Sequence, residues 1–315
     1  MKYLRAVADV LRSDAARVLF LILALAGAVW ALVSQWDAFS AAITNFSIWQ
    51  VLVAFLLSIA FMFVVMLCWR AVIIDLGSQL GVGSAANLYF VSQLGKYLPG
   101  GVWNFLAIAE MGKDLGVPRT RSLISTIVSI LISIVSAGII AVPGIIALQV
   151  IPDPYGWVML IALPILVVFL IPAVLNRLIN LALKITKRPE LEQPFSGRGI
   201  IASTLWSSLS WILAGGCVYL LAGQLGADQS FRGFIGATGA YSLAWAVGFL
   251  IFFVPAGIGV REVVLGAMLA DQLEPGAIIA VVLVTRVLVT LADVLLACVF
   301  VVINRAAAHR RQRVA

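Results

Sequence analysis

The chain has 315 residues, 63% of them hydrophobic and only 11% charged. No water-soluble fold hides that much apolar surface, so the main solvent of this protein must be lipid. The net charge of +7 is gathered in tails and one loop rather than along a face, which argues against a nucleic-acid surface. Apolar runs of about 20 residues, continuous rather than alternating, exclude a β-barrel and indicate an all-α polytopic membrane protein.

Residues 17–36 form the first predicted span. Lys2, Arg5, Arg12 and Arg17 at its start place the N-terminus in the cytoplasm by the positive-inside rule. "DAFSAAITNFS" follows as an external loop, and residues 48–74 return. Residues 85–112 divide into two arms of about a dozen residues around "PGG", each roughly 20 Å long as helix and too short for a bilayer. Basic residues flank the stretch, so a hairpin entering from the cytoplasm is expected. Its break is tolerable at depth only where protein or a watery cavity covers the backbone. Residues 122–148 then cross outward.

The second half repeats this order. Residues 156–175 cross inward and 200–225 outward, with Lys184, Lys187, Arg188 and Arg198 in the loop between them. The stretch 231–273 is broken by "PAGIG", and its first arm, 231–254, is long enough to cross fully. Residues 277–304 form the last span, and a basic cytoplasmic tail, 305–315, carries Arg305, Arg310, Arg311 and Arg313. Pro99 and Pro255 lie 156 residues apart, close to half the chain. The organisation read from this is an inverted repeat, residues 1–155 and 156–304. Each half holds three spans and one hairpin, giving about six full spans, or eight helices if the hairpins cross. Broken helices at matching places in opposed repeats point to a transport site near the midplane.

Charges within apolar segments cost roughly 2.5–3.5 kcal/mol each on insertion scales, so they require a reason. Here they are Lys96, Glu110, Arg261, Glu262, Arg286 and Asp293. Arg286 and Asp293 lie two turns apart on one helix face, about 10 Å along the axis, so each is expected to find its partner on another segment. Arg261 opens the return arm of the second hairpin, where free N–H groups, the helix dipole and a guanidinium suit a phosphate. The plainer alternative is that Glu262 only caps that helix and Arg261 only pairs with an acid. Lys96 either offsets exposed carbonyls or meets substrate. Glu110 either couples to the site or forms a solvated pair with Lys113. Gly100, Gly101, Gly257 and Gly259 would let backbone approach a ligand.

Trp30, Trp36, Trp49, Trp69 and Trp157 fall near span ends and read as an interfacial belt, with Arg70 and Asp75 beside them. Trp103 and Trp245 lie near the two breaks. Cys68, Cys217 and Cys298 lie in apolar segments without CxxC spacing and read as packing residues. The single histidine, His309, is in the basic tail, which removes His-dependent triads and most zinc sites. No catalytic residue, metal or cofactor is expected.

"GKYLPGGVWNFLAIAEMGKDLGVPRTRS" and "FFVPAGIGVREVVLGAMLADQL" together with "TRVLVTLADVLLA" resemble the lysylphosphatidylglycerol synthase transmembrane-region family, over roughly residues 15 to 305. Ala256 stands where that family often carries a glycine. The resemblance implies a membrane region that translocates lipid. Aminoacyl transfer belongs there to a separate soluble domain, which these residues do not contain, so lipid aminoacylation is not expected. The reading is a non-enzymatic flippase-like protein of the inner membrane that moves an anionic lipid, a phospholipid or a polyprenyl phosphate. The alternatives are a scaffold for a glycosyltransferase or lipid-modifying enzyme, and an integral-membrane transferase. The expected partner is membrane lipid, with no nucleic acid. A homo-oligomer or a membrane enzyme partner is compatible with this reading.

Overall fold

A computed structural model describes residues 36–97, 102–151, 158, 160–185, 193–251, 257 and 259–314. It is helical, with no strand among the described residues. In chain order the helices are α1 Trp36–Thr44, α2 Ile48–Asp75, α3 Val82–Gln93, a 3₁₀ turn Leu94–Tyr97, α4 Trp103–Lys113 and α5 Arg119–Ala147. They continue with α6 Ala162–Val168, α7 Pro172–Ile185, α8 Gly197–Gln224, α9 Phe231–Leu250, α10 Val260–Leu269 and α11 Pro275–Val314. Among the described residues, α2, α5, α8, α9 and the 275–303 part of α11 are long and apolar enough to cross a membrane.

The two longest-shared neighbours, α2 and α8, form the spine of the molecule. They run antiparallel and are tied at both ends. At one end the Ser47 N–H donates to the Gln224 side-chain oxygen at 2.6 Å. At the other, Asp75 accepts from the Ser196 N–H at 2.7 Å, while the Ser196 hydroxyl caps α8 by accepting from the Gly199 N–H.

Small residues set how close the helices lie. Ser122, Thr126, Ser129, Ser133 and Ser136 recur at alternating steps of four and three along α5, and all are buried. Ser203, Ser207 and Ser210 do the same on α8. The stripes meet where the Ser136 and Ser207 hydroxyls lie 2.7 Å apart and the Trp211 indole N–H donates to Ser136 at 3.0 Å. In lipid there is no hydrophobic drive between helices, so close backbone approach and cross-helix hydroxyl bonds supply the association. The α5–α9 pair shows this most clearly. A Cβ on Gly239 would lie 2.5 Å from the Gly144 Cα, so only glycine fits there.

Three expectations change. Trp69 is not part of an interfacial belt: it is fully buried, and its indole N–H donates to Thr126 at 3.2 Å. Trp36 and Trp49, by contrast, are exposed. The segment read as an external loop after residue 36 is the helix α1, helped by alanines, no glycine or proline, and Asp37 in its first turn. It packs on α11. Residues 162–185 are not one straight crossing. Tight i to i−3 bonds close the chain at Phe169–Ile171, and Pro172, which has no N–H to donate, starts α7 at 67° to α6. As expected, the first arm of the second hairpin is long enough to cross, the 20-residue helix α9, whereas α10 has ten residues.

The span expected at 17–36 lies outside the described residues apart from Trp36, as do Trp30, Trp157, Gly100 and Gly101. Gly239→Leu should lower stability by about 1–3 kcal/mol or more, because the added side chain has nowhere to go without parting α5 from α9. Thermal unfolding in detergent measures it, and an unchanged midpoint would remove this contact from the account of the fold.

Candidate functional site

The site is built on α11, which contacts an arm of each hairpin. Toward one end, Asp293 is 4% exposed and accepts from the Lys96 ammonium at 2.6 Å. Lys96 comes from the 3₁₀ turn that ends the first hairpin's entering arm. Two turns earlier, Arg286 faces the second hairpin, with its Nε 3.5 Å from the Glu262 Oε1. Arg286 and Asp293 therefore meet different hairpins.

The first hairpin is closed by Gly95. A Cβ there would fall 2.6 Å from the Asn104 nitrogen, so the two arms touch backbone to backbone. α3 and α4 continue that contact.

The second hairpin is organised around Arg261. Its side chain passes through a slot between Gly248 and Gly257, where a Cβ on Gly257 would lie 2.8 Å from the Arg261 Nε. Gly257 and Gly259 adopt φ of +65° and +85°, a region that side chains with a Cβ strongly disfavour. The Arg261 guanidinium carbon lies 5.5 Å from the centre of the Trp245 ring. Trp245 is held in turn by Phe249 at 5.4 Å and Trp211 at 4.9 Å. Glu262 serves two purposes at once. Its Oε2 accepts from the Gly259 N–H at 2.6 Å, capping α10, while Oε1 faces Arg286.

Tyr241, Trp245, Arg261, Glu262, Thr285 and Arg286, with apolar residues such as Leu265 and Val289, line a cavity of about 30 Å³. Two guanidiniums and one carboxylate give it a formal charge of +1, and the Lys96–Asp293 pair adds none. Among the described residues no group of three His, Cys, Asp or Glu side chains is placed to hold a metal. The donors gathered here suit an oxyanion. A separate cavity of about 620 Å³ lies between α5 and α7 and is lined only by apolar side chains such as Phe105, Leu131, Phe169 and Ile179.

Glu110 does not join the site. It lies on the exposed end of α4, 3.0 Å from Lys113, and also pairs with Arg119. The Arg119 guanidinium first, then the Lys113 ammonium, hold its carboxyl below the usual glutamate range. Arg70 and Asp75 are likewise structural, the former donating to the Leu80 carbonyl at 2.8 Å. Trp103 starts α4 and is half exposed. Sequence reasoning passed over Gly95, Gly248 and Thr285. The first two are visible only as close approaches between segments far apart in the chain. Thr285 adjoins Arg286, which was the available signal.

Two outcomes follow from these contacts. Lys96→Met or Asp293→Asn alone should destabilise the protein by roughly 3 kcal/mol, because each leaves a charge without its partner in a low-dielectric setting. The double variant should lose less than the sum in a thermal-unfolding cycle. Strict additivity would mean that the pair is not coupled. For Glu110, the depressed folded value means its ion pairs stabilise above the unfolded glutamate value and are lost as pH falls through the folded one. Glu110→Gln should remove that acid-side change from a pH series of unfolding midpoints.

A family profile described as the lysylphosphatidylglycerol synthase TM region matches residues 16–297. That range includes Lys96, Arg261, Glu262, Arg286 and Asp293. No curated protein matches the chain. A match of this extent, carried by a helical membrane fold with its charges gathered at two hairpins, shows that the chain belongs to the lysylphosphatidylglycerol synthase TM region family.

Proposed function

We propose that this protein moves an anionic lipid, a phospholipid or polyprenyl phosphate, across the cytoplasmic membrane without chemical change to it. The observation that carries the reading is the row of charges on α11, with Arg286 and Asp293 joined to opposite hairpins and a formal +1 beside them. A buried positive site is costly in hydrocarbon unless an anion enters it. Arg286 and Arg261 receive the head group, with Lys96 and the glycines of the breaks beside the path. The acyl or prenyl chain stays in the bilayer. Because each ion pair joins α11 to one hairpin, breaking one while keeping the other exposes the site to one side at a time. Asp293 and Glu262 hold the cations when no lipid is bound. Both termini are cytoplasmic in this arrangement, by the positive-inside pattern.

A second reading is a scaffold for a membrane enzyme. It is favoured by the fact that Lys96, Glu262, Arg286 and Asp293 are already in ion pairs, which would serve equally to lock the fold.

The test is translocation of head-group-labelled phosphatidylglycerol, phosphatidylethanolamine and a polyprenyl phosphate in proteoliposomes, with Arg286→Gln and Arg261→Gln alongside the unaltered chain. Each loses a charged hydrogen-bonding partner, so movement of the transported lipid should fall about tenfold or more. No movement of any lipid by folded protein would overturn the transport reading in favour of the scaffold.

A further inference from the structure

The apolar cavity between α5 and α7 has a volume of about 620 Å³. Protein interiors are close-packed, and voids larger than a water molecule are few. A water's share of liquid volume is about 30 Å³, so this space is roughly twenty times larger. Its origin is local. The Leu166 Cδ1 lies 3.0 Å from where a Gly138 Cβ would stand, and α6 packs on α5 there. Beyond Phe169–Ile171 the chain turns by 67°, α7 draws away from α5, and a groove opens between them. Val128 and Ile179 form a buried floor. Ile127 and Leu131 on one rim and Phe169 and Leu178 on the other are between 42% and 50% exposed. The groove is therefore open sideways. Its lining offers no polar side chain, so water has nothing there to bond.

Length and charge select the occupant. The lining runs along α5 from Leu123 to Val135, about 18 Å of helix and close to one leaflet's half of the roughly 30 Å hydrocarbon core. The helices α5, α6 and α7 carry Arg119, Arg121, Arg177 and Lys184 and no acid. Arg121 stands two residues before Leu123 and donates to the Ser78 hydroxyl at 3.0 Å, which puts a cation at the end of the groove where α5 begins. Of the acids nearby, Glu110 is matched by Lys113 and Arg119, and Asp75 accepts from Ser196. The apolar run before Trp36 leads into α1, which packs on α11, a helix outside the groove. We infer that this groove binds one acyl chain of an anionic phospholipid, drawn from the leaflet at the basic end, with Arg121 attracting its phosphate. The chain supplies the dispersion contacts that the walls of an empty groove would lack. This site is separate from the cavity at Arg261 and stands whether or not the protein transports lipid.

The experiment is native mass spectrometry of the full chain, delipidated in detergent and titrated with phosphatidylglycerol or phosphatidylethanolamine of the same chain length. One phosphatidylglycerol should be retained per chain, preferred over phosphatidylethanolamine by about fivefold or more, the effect of one basic residue near a head group. Arg121→Gln, which keeps a donor for Ser78, should lower phosphatidylglycerol binding about fivefold and leave phosphatidylethanolamine binding unchanged. A purely structural arginine would weaken both alike. Leu131→Trp puts an indole where the chain would lie and should weaken binding about tenfold or more. Leu205→Trp, on an exposed position of α8 outside the groove, should have no effect. Retention that Leu131→Trp leaves unchanged puts the lipid elsewhere and overturns the inference. Equal affinity for the two lipids overturns the anionic assignment. No retained lipid also overturns it, leaving the groove to residues 17–35 or to exchanging bulk lipid. Translocation without retention removes this inference and leaves the transport reading. Retention with the predicted pattern holds even if no lipid is translocated.

Discussion

Charge within hydrocarbon must be paired, and this requirement organises the protein around α11. An isolated ammonium or carboxylate there is expensive, and removing one member of a buried pair costs more than the pair contributes. Arg286 and Asp293 lie on one face of a continuous helix, too far apart to satisfy each other. They therefore recruit Glu262 and Lys96 from the two hairpins. The ion pairs position the broken helices, and the broken helices in turn bring Arg261 and the N-terminus of α10 into the same small space.

That arrangement needs a rigid frame, which comes from small residues rather than from large apolar ones. The α2–α8 spine is pinned at both ends by polar contacts, and the α5–α8 seam is stitched by hydroxyls and the Trp211 indole. Gly144 and Gly239 bring α5 and α9 into backbone contact, which carries Tyr241 and Trp245 toward the cavity. The same economy recurs at the site, where Gly248 and Gly257 leave a slot the width of the Arg261 side chain. In lipid, a helix gains little by burying leucine against leucine, so absent side chains and shared hydroxyls set the geometry.

Several residues show where sequence reasoning stops. The costs of Lys96, Arg261, Glu262, Arg286 and Asp293 in apolar segments were plain from composition alone, and the two-turn spacing of Arg286 and Asp293 required partners elsewhere. Which hairpin each would meet was not readable, since pairing across 197 residues depends on how helices cross. Trp69 looked interfacial because it stands near a charged span end, yet its ring points inward to Thr126. Direction around a helix is settled by neighbours, and α2 is apolar on every side, so the pattern offers no facing. The expected crossing near 156–175 gave way to two short helices because Pro172 interrupts a hydrophobic run that hydropathy reads as continuous.

By itself the sequence determined that the protein is a helical bundle in lipid. It also determined where its long helices lie, and that a small set of costly charges has to find partners on other segments. Those properties follow from local quantities: the apolar length needed to cross hydrocarbon, the missing N–H of proline, and the price of desolvating an ion. Only the tertiary structure decided that Lys96 meets Asp293 and Glu262 meets Arg286. It also decided that Arg261 threads between two glycines. Each of these depends on distances of a few ångströms between segments remote in the chain. Such distances are set by how closely the helices pack, which no single helix encodes.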